Sequence, residues 1–302
     1  MTLLAAIDAQ TLVDAVGLGA VYALMAVGIG LVFGVLRLVN FAYGQLVMAG
    51  AYTLAFTSSW PAAGSIAACF AVVLALSLAL ERAVFRPLRT QSPAVMLVTT
   101  FAVAFLLQSI ALIVDIRDDT IGEASSTLAS LNQAVSIGGV DVRRVTLAAI
   151  VVAAVTLALV ALLLARTTLG LHMRAAAADF STARLLGVRA DRVIGSAVLL
   201  SGLLAATVAV IMTVQAPLVT PDFALKETIV VLVGVVVGGI DRLWTATLGG
   251  FAIGFATGVI NGALPTDKTV FLPSAVFALV ILVLLLRPAG LFAGGRTAVE
   301  RL

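Results

Sequence analysis

Reactive and chargeable side chains are scarce in this chain of 302 residues. It has one cysteine, Cys69, and one histidine, His172. A lone cysteine in an apolar run excludes an intramolecular disulfide and a thiolate metal cluster, and a lone histidine excludes a multi-histidine metal site. The only lysines are Lys226 and Lys268, and neither follows a glycine-rich loop, so no Walker-type nucleotide cradle is present. No paired carboxylates and no nucleophile–base spacing point to catalysis. No cofactor, metal or enzymatic activity is therefore expected, and any nucleotide hydrolysis must come from another protein.

What fills the chain instead is hydrocarbon. Hydrophobic residues make up 62%, charged residues 11%, and the mean hydropathy is +1.20, far outside the range of a soluble domain. Apolar runs recur near the length needed to cross about 30 Å of bilayer. Expected spans lie at 12–36, 41–57, 62–81, 94–114, 146–165, 193–215, 226–240, 246–263 and 270–286. The pair at 226–240 and 246–263 reads equally as full spans or as broken or re-entrant half-helices. The fold class is an all-α polytopic membrane protein of about 8–9 transmembrane helices, one membrane-embedded domain over residues 1–302 in a lipid bilayer. The sequence pI near 9.5 is compatible with a nucleic-acid partner. The basic residues are instead sorted by membrane side, so no nucleic acid is expected.

Two polar interruptions differ in kind. Residues 115–145 are acid-rich, and VSIGGVDV alternates around Gly138-Gly139, which predicts a small β-hairpin. Residues 166–192 carry Arg166, Arg174, Arg184, Arg189 and Arg192 against Asp179 and Asp191. A short helix is expected there between Met173 and Leu186, ending at Gly187 in a left-handed cap. With the N-terminus outside and nine crossings, 13 of the 18 basic residues fall inside, along with the C-terminus. That makes 115–145 extracytoplasmic and 166–192 cytoplasmic. The basic stretch then reads either as a solvated connector or as a docking element for a soluble partner.

Ionisable residues are nearly absent from the spans. Asp14, Glu81 and Asp115 sit at span ends, and Lys226–Glu227 near the start of one. A proton- or sodium-coupled carrier relies on intramembrane charge. A stand-alone secondary carrier is therefore disfavoured against a permease driven by a separate ATPase. The segment LRLVNFAYG makes the tightest turn between two long apolar runs. Asn40 suits a helix cap, and a helix beginning near Phe41 inside the bilayer would aim its positive end at an anionic ligand group. Tyr22 and Tyr43 read either as path-lining groups or as packed aromatics. Gly28, Gly30, Gly34, Gly44 and Gly50 suit close helix approach. Lys226 also reads as a snorkelling interface residue.

Three stretches carry a family resemblance: GAVYALMAVGIGLVFGVLRLVNFAYGQLVMAGAY, RAAAADFSTARLLGV and ILVLLLRPAGLF. They resemble the membrane permease of branched-chain amino-acid ABC importers, over nearly the whole chain and in the family's order. The resemblance implies a bacterial inner-membrane subunit for branched-chain or related amino acids, with urea or short-chain amides as the alternative cargo. It also implies a periplasmic substrate-binding protein, a second related permease subunit, giving a heterodimer, and two cytoplasmic ATPase subunits. Residues Ala176 to Gly187 then correspond to the coupling helix, with Arg174, Ala177, Asp179, Phe180 and Gly187 toward the ATPase. The residues at the LRLVNFAYG turn and the earlier tyrosine, and not the resemblance, place the expected translocation path at Tyr22, Asn40, Phe41, Tyr43 and Gly44. The chain departs from the family at Tyr43, where a histidine is usual, and in GGIDRLWTATLGG, where small residues are usual.

Overall fold

The structure, a computed structural model, describes residues 9–36, 39–88, 91–117, 133–137, 140–216, 218–239 and 242–287. Among them, seven helices are long and apolar enough to cross a membrane. They are α1 (Ala9–Leu36), α3 (Ala62–Leu80), α4 (Pro93–Arg117), α5 (Arg144–Arg166), α8 (Ala190–Gln215), α10 (Leu243–Ala263) and α11 (Leu272–Leu286). The α3 span continues through a π-helical turn at Glu81–Phe85 to Leu88, and a 3-10 turn at Thr266–Phe271 leads into α11. Two further helices, α2 (Tyr43–Phe56) and α9 (Leu225–Gly238), have 14 residues each, about 21 Å of rise and short of the hydrocarbon thickness. Two short helices, α6 (Thr168–Ala178) and α7 (Phe180–Leu185), form the basic loop.

The expected hairpin is present. Strand β1 (Ala134–Ile137) pairs antiparallel with β2 (Val140–Arg143), Ile137 opposite Val140, around the Gly138-Gly139 link, which lies outside the described residues. Residues 118–132 of the same loop also lie outside them.

Helix α1 is the axis of the molecule. It is buried along most of its length and packs most extensively on α10, then on α8, α5 and α9. The α1–α10 seam is close because Gly250, Gly254, Gly258 and Gly262 recur every fourth residue and present one bare stripe of α10. A methyl group on Gly258 would lie 2.5 Å from the Ala15 Cα, and one on Gly254 2.8 Å from the Gly19 Cα. Backbone thus meets backbone, and dispersion between the two helices replaces a hydrophobic drive that lipid removes. The pairs also show that α10 runs antiparallel to α1.

The half-helices start inside the bundle. The Ser65 hydroxyl donates to the Thr57 carbonyl at 2.7 Å, so α2 ends at the face where α3 begins. At the other end of α2, Gly44 meets the first turn of α9: a methyl group there would lie 2.5 Å from the Thr228 hydroxyl and 3.1 Å from the Ala224 carbonyl oxygen. Helix α9 then runs to the opposite face, where Gly238 abuts the Thr245 and Gly249 backbone at the start of α10. The two N-termini therefore lie side by side in the bilayer interior, each fed by a re-entrant segment from a different face. In order, α1–α2–α3–α4 and α8–α9–α10–α11 are each span, half-helix, span, span, in opposite orientation. This resolves the 226–263 region into one half-helix and one full span.

Candidate functional site

At the start of α2, Asn40 is buried, and its Oδ1 accepts the Ala42 N–H at 3.0 Å. It closes the turn that feeds the helix instead of capping the helix itself, which begins at Tyr43 with no side-chain cap. Phe41 stacks edge-on to Phe101 of α4, ring centroids 5.5 Å apart, and the Thr100 hydroxyl donates to the Val39 carbonyl at 3.4 Å. Helix α4 is thereby tied to the re-entrant segment.

Tyr43 is fully buried, and its side chain fills the space above Gly28 of α1; a methyl group on Gly28 would lie 2.5 Å from the hydroxyl. Among the described residues that hydroxyl has no hydrogen-bond partner, and neither do the two amide atoms of the buried Gln45 two residues on. The first turn of α2 therefore holds buried polar groups in want of partners. Tyr22 is buried in the α1–α10 seam, where a methyl group on Gly254 would lie 2.8 Å from its Cβ. Gly44 makes the α2–α9 contact described above.

The partner N-terminus, α9, carries charge. Ala224 holds a left-handed conformation (φ 64°), a strained geometry for a residue with a Cβ, and turns the chain into the helix. Glu227 lies in the first turn, where the helix dipole favours an anion. Lys226 pairs with Asp222 at 3.7 Å, and its side chain is 79% exposed although the turn lies within the membrane thickness. The sequence showed Lys226–Glu227 near a span start. It did not show that this start meets the start of α2, since nothing local links residues 44 and 228.

The basic loop is a second site. Thr167 breaks α5 from α6: its hydroxyl donates to the Leu163 carbonyl at 2.6 Å and accepts the Gly170 N–H at 3.2 Å. Gly170 then lets α6 fold back onto Leu164, whose carbonyl also accepts from the Arg174 guanidinium. The helix begins earlier than the expected Met173 and is broken at Asp179, so one helix from Met173 to Leu186 is corrected to two. Asp179 is not a mid-helix residue. Its Oδ1 accepts the Thr182 N–H at 3.2 Å, and its other oxygen the Thr182 hydroxyl, an N-cap for α7. Gly187 has φ 89°, and the bonds Val188 N–H to Ala183 O and Gly187 N–H to Arg184 O, both 3.0 Å, form the expected left-handed stop.

Ala177 does not point away from the membrane. With Met173 it lines a cavity of about 840 Å³ between α1, α5, α6 and α10. The side chain of Phe180 lies outside the described residues. Among the described residues the most exposed large apolar groups of the loop are Leu185 and Leu186, 88% and 81% exposed, followed by Leu171 of α6 at 56%. Sequence reasoning passed over them, although adjacent leucines beside a glycine stop, in a loop otherwise rich in alanine and arginine, are a visible signal.

Residues 11–287 match the family described as branched-chain amino acid transport system / permease component. The chain is 29% identical to the high-affinity branched-chain amino acid transport system permease protein BraD of Pseudomonas aeruginosa, over 97% of each chain. It is 28% identical to the corresponding permease protein LivH of Salmonella typhimurium and 27% to LivH of Escherichia coli, again over 97% of each. No solved structure matches the chain.

Proposed function

This chain belongs to the branched-chain amino-acid transport permease family, and from that premise we propose that it forms the translocation path of an ABC importer for branched-chain or related amino acids. A multi-pass membrane subunit with no nucleotide cradle of its own fits transport driven by separate ATPase subunits. The observation that carries the reading is the meeting of the α2 and α9 N-termini inside the bilayer.

A free amino acid is a zwitterion, and its carriage through hydrocarbon needs both charges answered. Unpaired N–H groups and the positive dipole ends of two helices answer a carboxylate. Glu227, in the first turn of α9, answers an ammonium. Asn40, Tyr43 and Gly44 shape the α2 side of this junction, Phe41 anchors it to α4, and Tyr22 lies in the neighbouring seam. The hydroxyl of Tyr43 and the amide of Gln45 supply neutral polar contacts as the path opens. The exposed Lys226–Asp222 pair marks the side on which water and the second permease subunit cover this junction.

Drive enters through residues 166–192. The exposed Leu185–Leu186 pair is the apolar contact for an ATPase cleft, held by the Asp179 cap on one side and the Gly187 stop on the other. Arg174 and Ala177 face back toward the bundle and transmit movement of the loop to α1, α5 and α10. The N-terminus is outside and the C-terminus cytoplasmic, as the basic residues distribute. A periplasmic binding protein delivers cargo, and a second related permease completes a heterodimer.

The test is uptake of radiolabelled leucine, isoleucine and valine by the reconstituted importer with its binding protein. ATP-dependent uptake that falls at least about tenfold in Glu227→Gln, about 1.4 kcal/mol, supports the reading. Uptake of all three that is insensitive to Glu227→Gln, or that proceeds without ATPase subunits, overturns it.

A further inference from the structure

The cavity behind α6 answers to a different ligand. Its wall is apolar, with Leu31, Leu157 and Leu248 among the lining residues, and at its rim stand two guanidinium groups, Arg174 and Arg242. Gly34 leaves part of the wall bare: nothing lies within 4 Å of where its side chain would begin. Neither arginine is in an ion pair among the described residues; Arg174 spends one donor on the Leu164 carbonyl. Trp244 and Leu248, both exposed, sit on the α10 side of the opening, and the outer face of α5 beside it is wholly apolar through Val151, Val155, Leu159 and Leu162. The cavity therefore opens toward the acyl chains, at the depth of the basic loop.

We propose that this cavity binds one anionic phospholipid of the cytoplasmic leaflet, its headgroup on Arg174 and Arg242 and an acyl chain in the apolar recess. Basic pockets between transmembrane helices on the cytoplasmic side hold acidic headgroups in this way, and a tryptophan at the rim suits the headgroup level. The lining favours a lipid over the transported amino acid: among the described residues it is apolar but for its two guanidinium groups and Thr247, and includes no carboxylate to receive an ammonium group. Because Arg174 and Ala177 belong to α6, the occupied site ties the position of the coupling loop to the lipid. The leaflet assignment rests on the orientation proposed above; the existence of the site does not.

Native mass spectrometry of the full chain, purified in detergent with its partner subunits, tests this with dioleoyl phosphatidylglycerol against dioleoyl phosphatidylcholine. One phosphatidylglycerol retained per copy of this chain, favoured by about fivefold or more, is the expected result. Arg242→Gln abolishes the preference, Arg242→Lys keeps it, and Gly34→Leu, which fills the recess, removes the bound lipid. Excess inorganic phosphate leaves the lipid in place. Equal retention of both lipids, displacement by phosphate, or retention unchanged in Gly34→Leu overturns the proposal. So does a thiol at Leu248→Cys that cross-links to the second permease subunit and not to a photoactivatable lipid. Should Gly34→Leu fail to assemble, the contrast between Arg242→Gln and Arg242→Lys decides.

Discussion

Tyr43 and Gly28 form one unit at the smallest scale. The phenol ring occupies the space that Gly28 leaves empty, and the buried hydroxyl has no partner among the described residues. A buried hydroxyl with no partner carries an uncompensated desolvation cost of about 1–3 kcal/mol, so its removal is neutral or stabilising. We expect Tyr43→Phe to hold or raise the melting temperature of the purified complex, and Gly28→Leu to lower it through overpacking worth about 1–3 kcal/mol. A drop of several degrees in Tyr43→Phe would mean that the hydroxyl is hydrogen-bonded after all. Because folding is spared, a loss of uptake in Tyr43→Phe reports on the path itself. The polar character of Asn40 and the likeness of NFAYG to a re-entrant start were legible from the residues. The packing of Tyr43 was not, because Gly28 lies on a neighbouring helix and nothing in the alternation of apolar residues pairs the two. Gly28, Gly44 and Gly50 all serve close approach, as their setting suggests, whereas Gly34 opens onto a cavity. Identical residues in one run thus acquire opposite roles from what stands across from them.

Among the elements, the basic loop shows how end signals divide a helix. Glycine 187 marked its stop from sequence alone. Its start and its interruption depend on Thr167 and Asp179, whose side chains turn back on the local backbone and give caps where a count of alanines predicts continuity. Two faces result, and they fail differently. Leu185 and Leu186 touch little within the chain, so charging both as Leu185→Glu with Leu186→Glu should leave the melting temperature of the isolated permease unchanged. The same pair should lose ATPase co-purification and uncouple hydrolysis from uptake. Ala177→Arg faces the bundle and should lower the melting temperature, since it drives a charge into an apolar cavity. Asp179→Ala removes a cap worth about 1 kcal/mol and should weaken coupling without abolishing it. If the double leucine variant couples normally while Ala177→Arg is stable and uncoupled, the ATPase grips the inner face and the assignment is reversed. The glycine stripe of α10 was readable as four glycines at four-residue spacing, a clearer packing signal than the polar GGIDRLWTATLGG segment before it.

For the whole molecule, composition and the length of the apolar runs were enough for the class and for six of the seven full spans, because bilayer thickness sets helix length directly; the run at 246–263 stayed open between span and half-helix, and the expected span at 41–57 is corrected to the half-helix α2. The inverted order of α1–α4 and α8–α11 was hidden, since a 14-residue apolar helix looks like a truncated span until its start is seen to lie beside another. The proposed orientation rests on the distribution of the arginines. A thiol at Thr182→Cys in a Cys69→Ser background should be protected from an impermeant reagent added outside, and one at Gln133→Cys labelled; the reverse pattern would invert the molecule. The charge on α9 leads to the most demanding expectation. Lys226 and Asp222 form an exposed pair beside a helix start that the α2 contact sets within the bilayer. Facing lipid, such a pair would forfeit hydration worth several kcal/mol for each ion, more than a 3.7 Å exposed pair returns. Water must therefore reach it in the assembled importer. A thiol at Lys226→Cys, again without Cys69, should react with a charged, membrane-impermeant reagent, and the binding protein loaded with leucine should slow that reaction as cargo enters the junction. Reaction only with a lipid-soluble maleimide would put residue 226 against hydrocarbon or a dry subunit seam. The junction of α2 and α9 would then be a packing contact, and the cargo would have to pass elsewhere.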